Sequence, residues 1–270
     1  MVSDAQMVVV VMSGVIGGLF GLMLGSAINA MVWRLHVGRS WVKGRSECSD
    51  CGHTLAPKDL VPVLSWLVLH GKCRYCRARI KDTPVAELVT AAAFAVSVAV
   101  LLPAAPLDFV KLGFWLLLLV LLLVLAVYDA RWLILPDKIM GPLMAAALLY
   151  SVTMAWVTHS PQVLYGALEA AVVAGGALLL LVAVSKGRAM GGGDVKLAFA
   201  MGLMLGAQGM AVGLLVAFNT AALVGVVLII SKLKGRKDQI PFGPYLVGGT
   251  IVAFLFTRPV VDWYLRLNGL

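Results

Sequence analysis

The sequence predicts an all-α polytopic membrane protein with about eight transmembrane helices and one long polar insertion between the first and second of them. The chain is 61% hydrophobic and 13% charged, with a mean hydropathy of +0.97, whereas soluble domains carry about 25% charged residues. The apolar residues form long unbroken runs rather than the alternating pattern of a membrane β-barrel. This composition also excludes a disordered chain, a fibrous chain and a small disulfide scaffold.

Eight apolar runs follow one another, and each was compared with the roughly 20 residues that cross a bilayer. The predicted spans are residues 8–32, 85–103, 109–128, 139–157, 163–184, 195–207, 209–231 and 241–261. The sixth is short and glycine-rich, so its ends are the least well defined. Glycines recur four residues apart at Gly17, Gly21 and Gly25 in the first span and at Gly202 and Gly206 in the sixth, a spacing that favours close helix packing in lipid.

Basic residues orient these spans. The chain has 22 Lys and Arg against 13 Asp and Glu. With both termini outside, 19 of the 22 lie on the inner side, and only Lys111, Arg258 and Arg266 lie outside, as the positive-inside rule requires. No Lys or Arg precedes Arg34, which argues against a cleaved signal peptide.

The resulting division is a first transmembrane helix over 1–32, a cytoplasmic loop domain over 33–84 and a membrane core of about seven helices over 85–270. Ten of the basic residues lie in the loop domain. They are Arg34, Arg39, Lys43, Arg45, Lys58, Lys72, Arg74, Arg77, Arg79 and Lys81. Beside membrane spans such a patch favours contact with anionic lipid, and no nucleic-acid partner is expected.

The same loop holds all four cysteines as two C-x-x-C pairs. The pairs are Cys48 with Cys51 and Cys73 with Cys76, and 21 residues separate them. Two such pairs supply the four thiolates of a closed structural zinc site. Disulfides are the alternative, but a cytoplasmic loop disfavours them. Four sulfur ligands leave no open position on the metal, so the expected role is to fold the loop.

Two aspartates stand out because a lone carboxylate in lipid is costly. Asp129 ends the third span, and Asp194 follows three glycines where the sixth begins. In the predicted topology both lie at the cytoplasmic face. Two carboxylates a few ångströms apart share a proton, so that one activates water while the other protonates the scissile carbonyl. The pair therefore favours a catalytic dyad, with helix capping as the simpler alternative for each residue.

Five residues near these aspartates are candidates for active-site support. They are Gly191, Gly193, Lys196, Pro136 and Asp137. The two glycines let the backbone approach a substrate strand closely, and the lysine is near enough in sequence to affect the ionisation of Asp194. Asp137 either tunes Asp129 or is a turn residue after the proline.

These motifs together resemble the type IV prepilin peptidases, which belong to the G-x-G-D class of intramembrane aspartyl proteases. The residues Gly191-Gly192-Gly193-Asp194 match the G-x-G-D motif, and Asp129 with Leu135-Pro136-Asp137 is similar to the family's other aspartate segment. Further similarity covers Gly25 to Leu35, both cysteine pairs, and the Asp59 to Leu67 segment between them. It continues through Pro84 to Leu88 and through Pro241 to Tyr245.

The resemblance implies a multi-pass enzyme of the bacterial inner membrane with its active site facing the cytoplasm. Such enzymes remove the basic leader of type IV prepilins and type II secretion pseudopilins. Members with the cysteine loop commonly also N-methylate the new terminus using S-adenosylmethionine. Glu87 is then a candidate for binding the substrate's positive end or the new amine, with helix capping as the alternative.

Two other classes of function compete with this interpretation. Intramembrane carboxylates also mark proton-coupled transporters, but those place acids near the midplane, whereas Asp129 and Asp194 lie at span ends. A zinc-ribbon adaptor anchored to the membrane would need far fewer spans.

Overall fold

The computed structural model describes residues 4–40, 44–80, 83–187, 190–235 and 238–267. Lys43 and Lys81, two of the basic residues counted above, lie outside these ranges. So do parts of the polar segments 185–194 and 232–240, which separate predicted spans. Within the described ranges, regular structure is helical apart from two isolated β-bridges. The helices are α1 (Asp4–His36), α2 (Leu64–Val68), α3 (Val85–Val100), α4 (Pro106–Trp132), α5 (Asp137–Val157), α6 (Pro161–Val184), α7 (Gly192–Ile230) and α8 (Gly243–Leu267), with a 3-10 turn at Pro57–Asp59.

Six of these helices, α1 and α4 to α8, are long and apolar enough to cross a membrane. Many of their large apolar side chains are exposed, such as Ile16, Val173 and Ile230, which suits contact with lipid. A polytopic all-helical membrane protein is therefore confirmed, but the count of eight spans is not. The predicted second span corresponds to α3, whose 16 residues rise only about 24 Å, short of the roughly 30 Å hydrocarbon core.

The predicted sixth and seventh spans lie in α7, which is not one straight rod. Its 39 residues would extend about 58 Å if straight, but Gly206 interrupts them with φ 65° and ψ −176°, a conformation open chiefly to glycine. A Cβ placed on Gly213 would lie 3.3 Å from the Leu205 side chain, although residues eight apart in a helix are separated by about 12 Å. The chain therefore turns sharply at Gly206, within two residues of the predicted boundary. Gly206 is a turn residue, not the packing residue that its spacing suggested.

The chain separates into two compact units, an N-terminal unit (Met1–Ala104) and a C-terminal unit (Ala105–Leu270). In the N-terminal unit α1 packs on α3. A Cβ on Gly21 would lie 2.8 Å from the Ala91 Cα, and one on Gly25 would lie 2.6 Å from the Glu87 Cα. The glycine spacing in α1 thus serves close helix packing, as predicted. Helix α3 belongs to this unit, although the sequence division grouped it with 85–270.

The C-terminal unit is a bundle of α4 to α8 around a largely apolar core. Trp115 of α4 stacks on Phe254 of α8 with ring centroids 3.9 Å apart, and the buried Ser151 hydroxyl of α5 donates to the Leu203 carbonyl of α7 at 2.6 Å. A Cβ on Gly202 would overlap the backbone of Ala171 in α6. This packing holds the end of α4 near the starts of α7 and α8.

Candidate active site and metal centre

Asp129 lies in the last turn of α4 and is only 5% exposed. Its Oδ2 accepts a hydrogen bond from the backbone N–H of Gly243, the first residue of α8, at 2.8 Å. A buried carboxylate needs such a partner, because leaving it unsatisfied is costly. The contact joins residues 114 positions apart and fixes where the carboxylate lies.

Asp194 is the third residue of α7 and is 8% exposed. Its Oδ2 accepts the backbone N–H of Gly191, the N-cap residue, at 3.2 Å, which is the side-chain-to-N-cap contact of a capping box. The carboxylates of Asp129 and Asp194 are close enough to interact electrostatically. The structure therefore brings the two predicted aspartates together within one unit, where Asp194 also serves as a cap. Their catalytic role stays a prediction.

The glycines before Asp194 differ in their surroundings. A Cβ on Gly193 would lie 2.9 Å from the Leu135 Cβ, in the segment that precedes α5. One on Gly191 would make ordinary contact with the Asp194 carboxylate at 3.7 Å, and one on Gly192 would meet nothing within 4 Å. Gly193 therefore allows the start of α7 to approach the Leu135 segment closely. Gly192 has room for a side chain.

Lys196 and Asp137 form an ion pair with each other, Nζ to Oδ1 at 2.6 Å. Both side chains are substantially exposed, 49% and 75%. The pair links the N-terminal part of α7 to the first turn of α5, which Pro136 precedes as its N-cap. The sequence suggested that Lys196 acts on Asp194 and that Asp137 acts on Asp129. Their pairing with each other could not be predicted from positions along the chain. Surface pairs of this kind contribute little free energy, but this one joins two helices that begin beside the dyad.

Gly243 is the residue near the aspartates that the sequence analysis did not single out. It appeared only within the Pro241 to Tyr245 segment of the resemblance. A Cβ at Gly243 would lie 2.8 Å from the Asp129 Oδ2. In the sequence Gly243 is only a glycine near the start of an apolar span. Such glycines are common, and nothing in the sequence links this one to Asp129.

In the N-terminal unit the four predicted cysteines form one cluster. Their sulfur atoms all lie within 4.8 Å of one another, and those of Cys48 and Cys76 are 3.9 Å apart. All four are free thiols. A tetrahedral zinc ion with Zn–S bonds of about 2.3 Å requires sulfurs about 3.8 Å apart, so the donor set and its spacing fit zinc. The four sulfur atoms would then hold the ion.

The two cysteine pairs fold alike. In the first, the Cys48 N–H donates to the His53 carbonyl at 3.0 Å. In the second, the Cys73 N–H donates to the Ala78 carbonyl at 2.8 Å, and each pair is enclosed by an isolated β-bridge. Backbone N–H groups in such tight turns surround a thiolate and stabilise its charge. This common turn directs both sulfurs of a pair to one side.

Asp59 fastens the second cysteine pair to the segment between the pairs. Its carboxylate, 3% exposed, accepts the Arg74 Nε at 2.6 Å and the Tyr75 hydroxyl at 3.0 Å, and the Tyr75 ring packs on His53, with centroids 3.7 Å apart. Burial alone would raise the pKa of Asp59, but the hydrogen bonds from Arg74, Tyr75 and the Ala56 amide together lower it. His53 therefore packs on an aromatic ring and lies outside the sulfur cluster.

The clustered thiols affect one another's acidity. A hydrogen bond from the Cys51 backbone, the largest effect, lowers the pKa of Cys48 to about 7. The Ala78 backbone alone would lower the pKa of Cys76, but desolvation and hydrogen bonds to the other sulfurs raise it to about 12. The pKa values of Cys48 and Cys76 therefore depend on their contacts within the cysteine cluster.

Glu87, in the first turn of α3, accepts the backbone N–H of Val63 at 2.6 Å through Oε2. Val63 has φ 61° and ψ −51°, the strained conformation of a γ-turn, which is unfavourable for a β-branched residue. The carboxylate thus ties a strained point of the cysteine loop to α3. For Glu87 the sequence suggested either substrate binding or helix capping. This contact adds a third role, which is to position the loop on α3.

Both units match known families. Residues 19–101 match the bacterial peptidase A24 N-terminal domain, and residues 116–230 match the type IV leader peptidase family. A prepilin leader peptidase/N-methyltransferase of Bacillus subtilis strain 168 is 32% identical over 256 residues, covering 92% of this chain and 96% of the relative. The chain belongs to the type IV leader peptidase family.

Other leader peptidase relatives match over similar lengths. Proteins of the same name from Aeromonas hydrophila and Pseudomonas aeruginosa are 32% and 29% identical over 272 and 276 residues. The first alignment covers 92% of each chain and the second covers 93% of each. No solved structure gives a significant match. The leader peptidase range contains Asp129 and Asp194, and the A24 N-terminal range contains the cysteine cluster and Glu87. Gly243 lies outside both ranges.

Proposed function

We propose that this chain is a membrane-embedded aspartic endopeptidase that cleaves the leaders of type IV prepilins and type II secretion pseudopilins and then N-methylates the new terminus. The observation that carries the proposal is the pair of buried, electrostatically interacting aspartates, Asp129 and Asp194. The printed names of the relatives, which include both peptidase and methyltransferase, support it. They give no support to a proton-coupled transporter.

The dyad is proposed to act by acid–base catalysis. Two neighbouring carboxylates share one proton, so the ionised one removes a proton from water while the protonated one donates to the scissile carbonyl oxygen. The amides of Gly243 and Gly191 hold one oxygen of each carboxylate, and the second oxygen of each is proposed to take part in proton transfer. This orientation supplies the geometric precision that catalysis requires.

The sites are proposed to face the cytoplasm from the bacterial inner membrane. The distribution of basic residues supports this orientation, since 19 of 22 fall on the predicted inner side. A prepilin carries a basic leader before an apolar helix, so its scissile bond would lie at the inner interface, where water is available. Anionic lipid is the expected neighbour of the basic loop.

Two groups are proposed as cofactors. Zinc held by Cys48, Cys51, Cys73 and Cys76 folds the loop, because binding to a site that is absent in the unfolded chain stabilises the folded one. S-adenosylmethionine supplies the methyl group for the second activity.

Substituting each aspartate in the purified full chain tests the dyad. Asp129→Asn and Asp194→Asn should each lower the rate of prepilin cleavage by about 10²- to 10⁴-fold, the usual loss for an acid–base group. Asp262→Asn, at an exposed position of α8, is the matched control and should cleave normally. Full cleavage by either dyad variant would contradict the proposal.

Incubating the wild-type chain with prepilin and methyl-labelled S-adenosylmethionine tests the second activity separately. A cleaved and labelled product is expected. A cleaved but unlabelled product would contradict methylation and leave the peptidase proposal standing.

A further inference from the structure

The N-terminal unit contains a partly open cavity of about 270 Å³ between α1, α3 and the cysteine loop. Its lining residues include Trp33, Trp66, Arg34 and Glu87. Small-molecule sites typically combine apolar and aromatic walls with a few charged groups in a volume of about 300–1,000 Å³. The cavity is near the lower end of that range, and its opening leaves room for part of a ligand outside.

Trp66 contributes a buried donor to this cavity. Among the residues that the structure describes, its Nε1 is a buried side-chain nitrogen with no hydrogen-bond acceptor. Gly71, with a φ of 67°, lies against the ring, and a Cβ there would approach it to 3.1 Å. The ring is thus held in place while its N–H lacks an acceptor. Gly71 therefore fixes the indole as a rigid part of the cavity wall, with its nitrogen buried beside the Gly71 backbone.

We propose that this cavity binds S-adenosylmethionine, an inference that rests on the methyltransferase part of the proposed function. The cofactor carries an adenine ring, a sulfonium cation and the carboxylate and ammonium groups of its methionine part. The aromatic walls suit the ring and the sulfonium. Arg34 suits the carboxylate, and Glu87 suits the positive groups.

A second cavity, in the C-terminal unit, offers a comparison. Its volume is about 420 Å³, and its lining includes Tyr150, Ser151, Gln162 and Gly206 but no charged residue. It lacks groups to pair with a cation and a carboxylate. The cavity in the N-terminal unit therefore fits the cofactor better despite its smaller volume.

When bound, the cofactor supplies a methyl group: the carbon–sulfur bond breaks with its electron pair kept by sulfur, the amine nitrogen forms the new bond, and the amine proton passes to a carboxylate or water. Glu87 is one of four acidic residues that line this cavity, the others being Glu47, Asp50 and Asp59. Its hydrogen bond from Val63 holds it in position against the loop.

Calorimetric titration of S-adenosylmethionine into the full chain in detergent tests the site without depending on turnover. Arg34→Gln keeps a polar side chain but removes the charge that would pair with the ligand carboxylate, and we expect it to bind about tenfold more weakly, since hydrogen bonds to charged groups are worth at least that much. Arg266→Gln, at an exposed position in the other unit, should bind like the wild type. Equal affinity of Arg34→Gln and the wild type would overturn the proposal.

Photolabelling keeps the proposal testable if Arg34→Gln misfolds. Wild-type chain irradiated with methyl-labelled S-adenosylmethionine should carry the label in peptides covering 26–34 or 65–87. Label within 105–270 would overturn the site while leaving methylation intact. A chain that cleaves prepilin but neither methylates it nor binds the cofactor would overturn both this site and the methyltransferase part of the proposed function.

Discussion

Replacing Gly243 by alanine should damage the peptidase without damaging the fold. The added Cβ would lie 2.8 Å from Oδ2, 3.1 Å from Cγ and 3.2 Å from Cβ of Asp129. Carbon atoms do not approach buried groups so closely, so the carboxylate or the start of α8 must move, and the 2.8 Å hydrogen bond lengthens or breaks. A hydrogen bond to a charged group is worth about 1.5–3 kcal/mol, which corresponds to a loss of about 10- to 150-fold in rate.

The assay is kcat/KM for prepilin cleavage by the purified chain in detergent. Gly248→Ala is the matched control, because it lies in the same helix and a Cβ there meets nothing within 4 Å. In the Asp129→Asn background Gly243→Ala should add little, since both changes act on the same carboxylate. If Gly243→Ala cleaves within threefold of the wild type, or if its effect is the same without Asp129, the reasoning fails.

Three further predictions rest on other contacts. Gly193→Ala should reduce cleavage because its Cβ would lie 2.9 Å from a neighbouring leucine, whereas Gly192→Ala should not; equal activity of the two variants would refute this steric account. Chelating zinc should expose the basic loop to trypsin, and added zinc should restore protection, because the metal folds the loop. If the metal is shown to be gone and the rate of digestion is unchanged, a structural metal is refuted. Gly202→Ala should lower the free energy of unfolding by about 1–3 kcal/mol through overpacking against Ala171. Thermal unfolding measures this, with Gly176→Ala as the control because a Cβ there meets open space. Equal melting temperatures of the two variants would refute the prediction.

Much of the architecture follows from local sequence because lipid imposes a simple rule. Backbone polar groups must be satisfied within each span, so long apolar runs become helices. The glycine spacing in α1 likewise predicts close packing, and Gly21 and Gly25 meet α3 directly. The four cysteines were predictable for a related reason, since the spacing within each pair fixes the turn that presents two sulfurs.

Other features depend on contacts that sequence does not encode locally. Asp129 and Gly243 are 114 residues apart, and the Lys196 to Asp137 pair spans 59 residues. Sequence proximity instead suggested that the lysine acts on Asp194. The turn at Gly206 is another case, because its glycine spacing with Gly202 matches a packing motif and only the backbone conformation reveals the break.

Placement of the dyad is a property of the whole C-terminal unit rather than of the two aspartates. Asp129 ends one helix and Asp194 begins another, so their separation depends on how closely the intervening helices pack. Gly202 lets α7 contact the α6 backbone, and Gly249 of α8 contacts Gly213 of α7. Adding a side chain at such a contact moves a helix by a fraction of an ångström to an ångström, and misplacement of about 1 Å can cost a catalytic site about 10²-fold. Glycines remote from the aspartates should therefore affect cleavage through helix spacing, while Gly243 affects it through direct contact with the carboxylate.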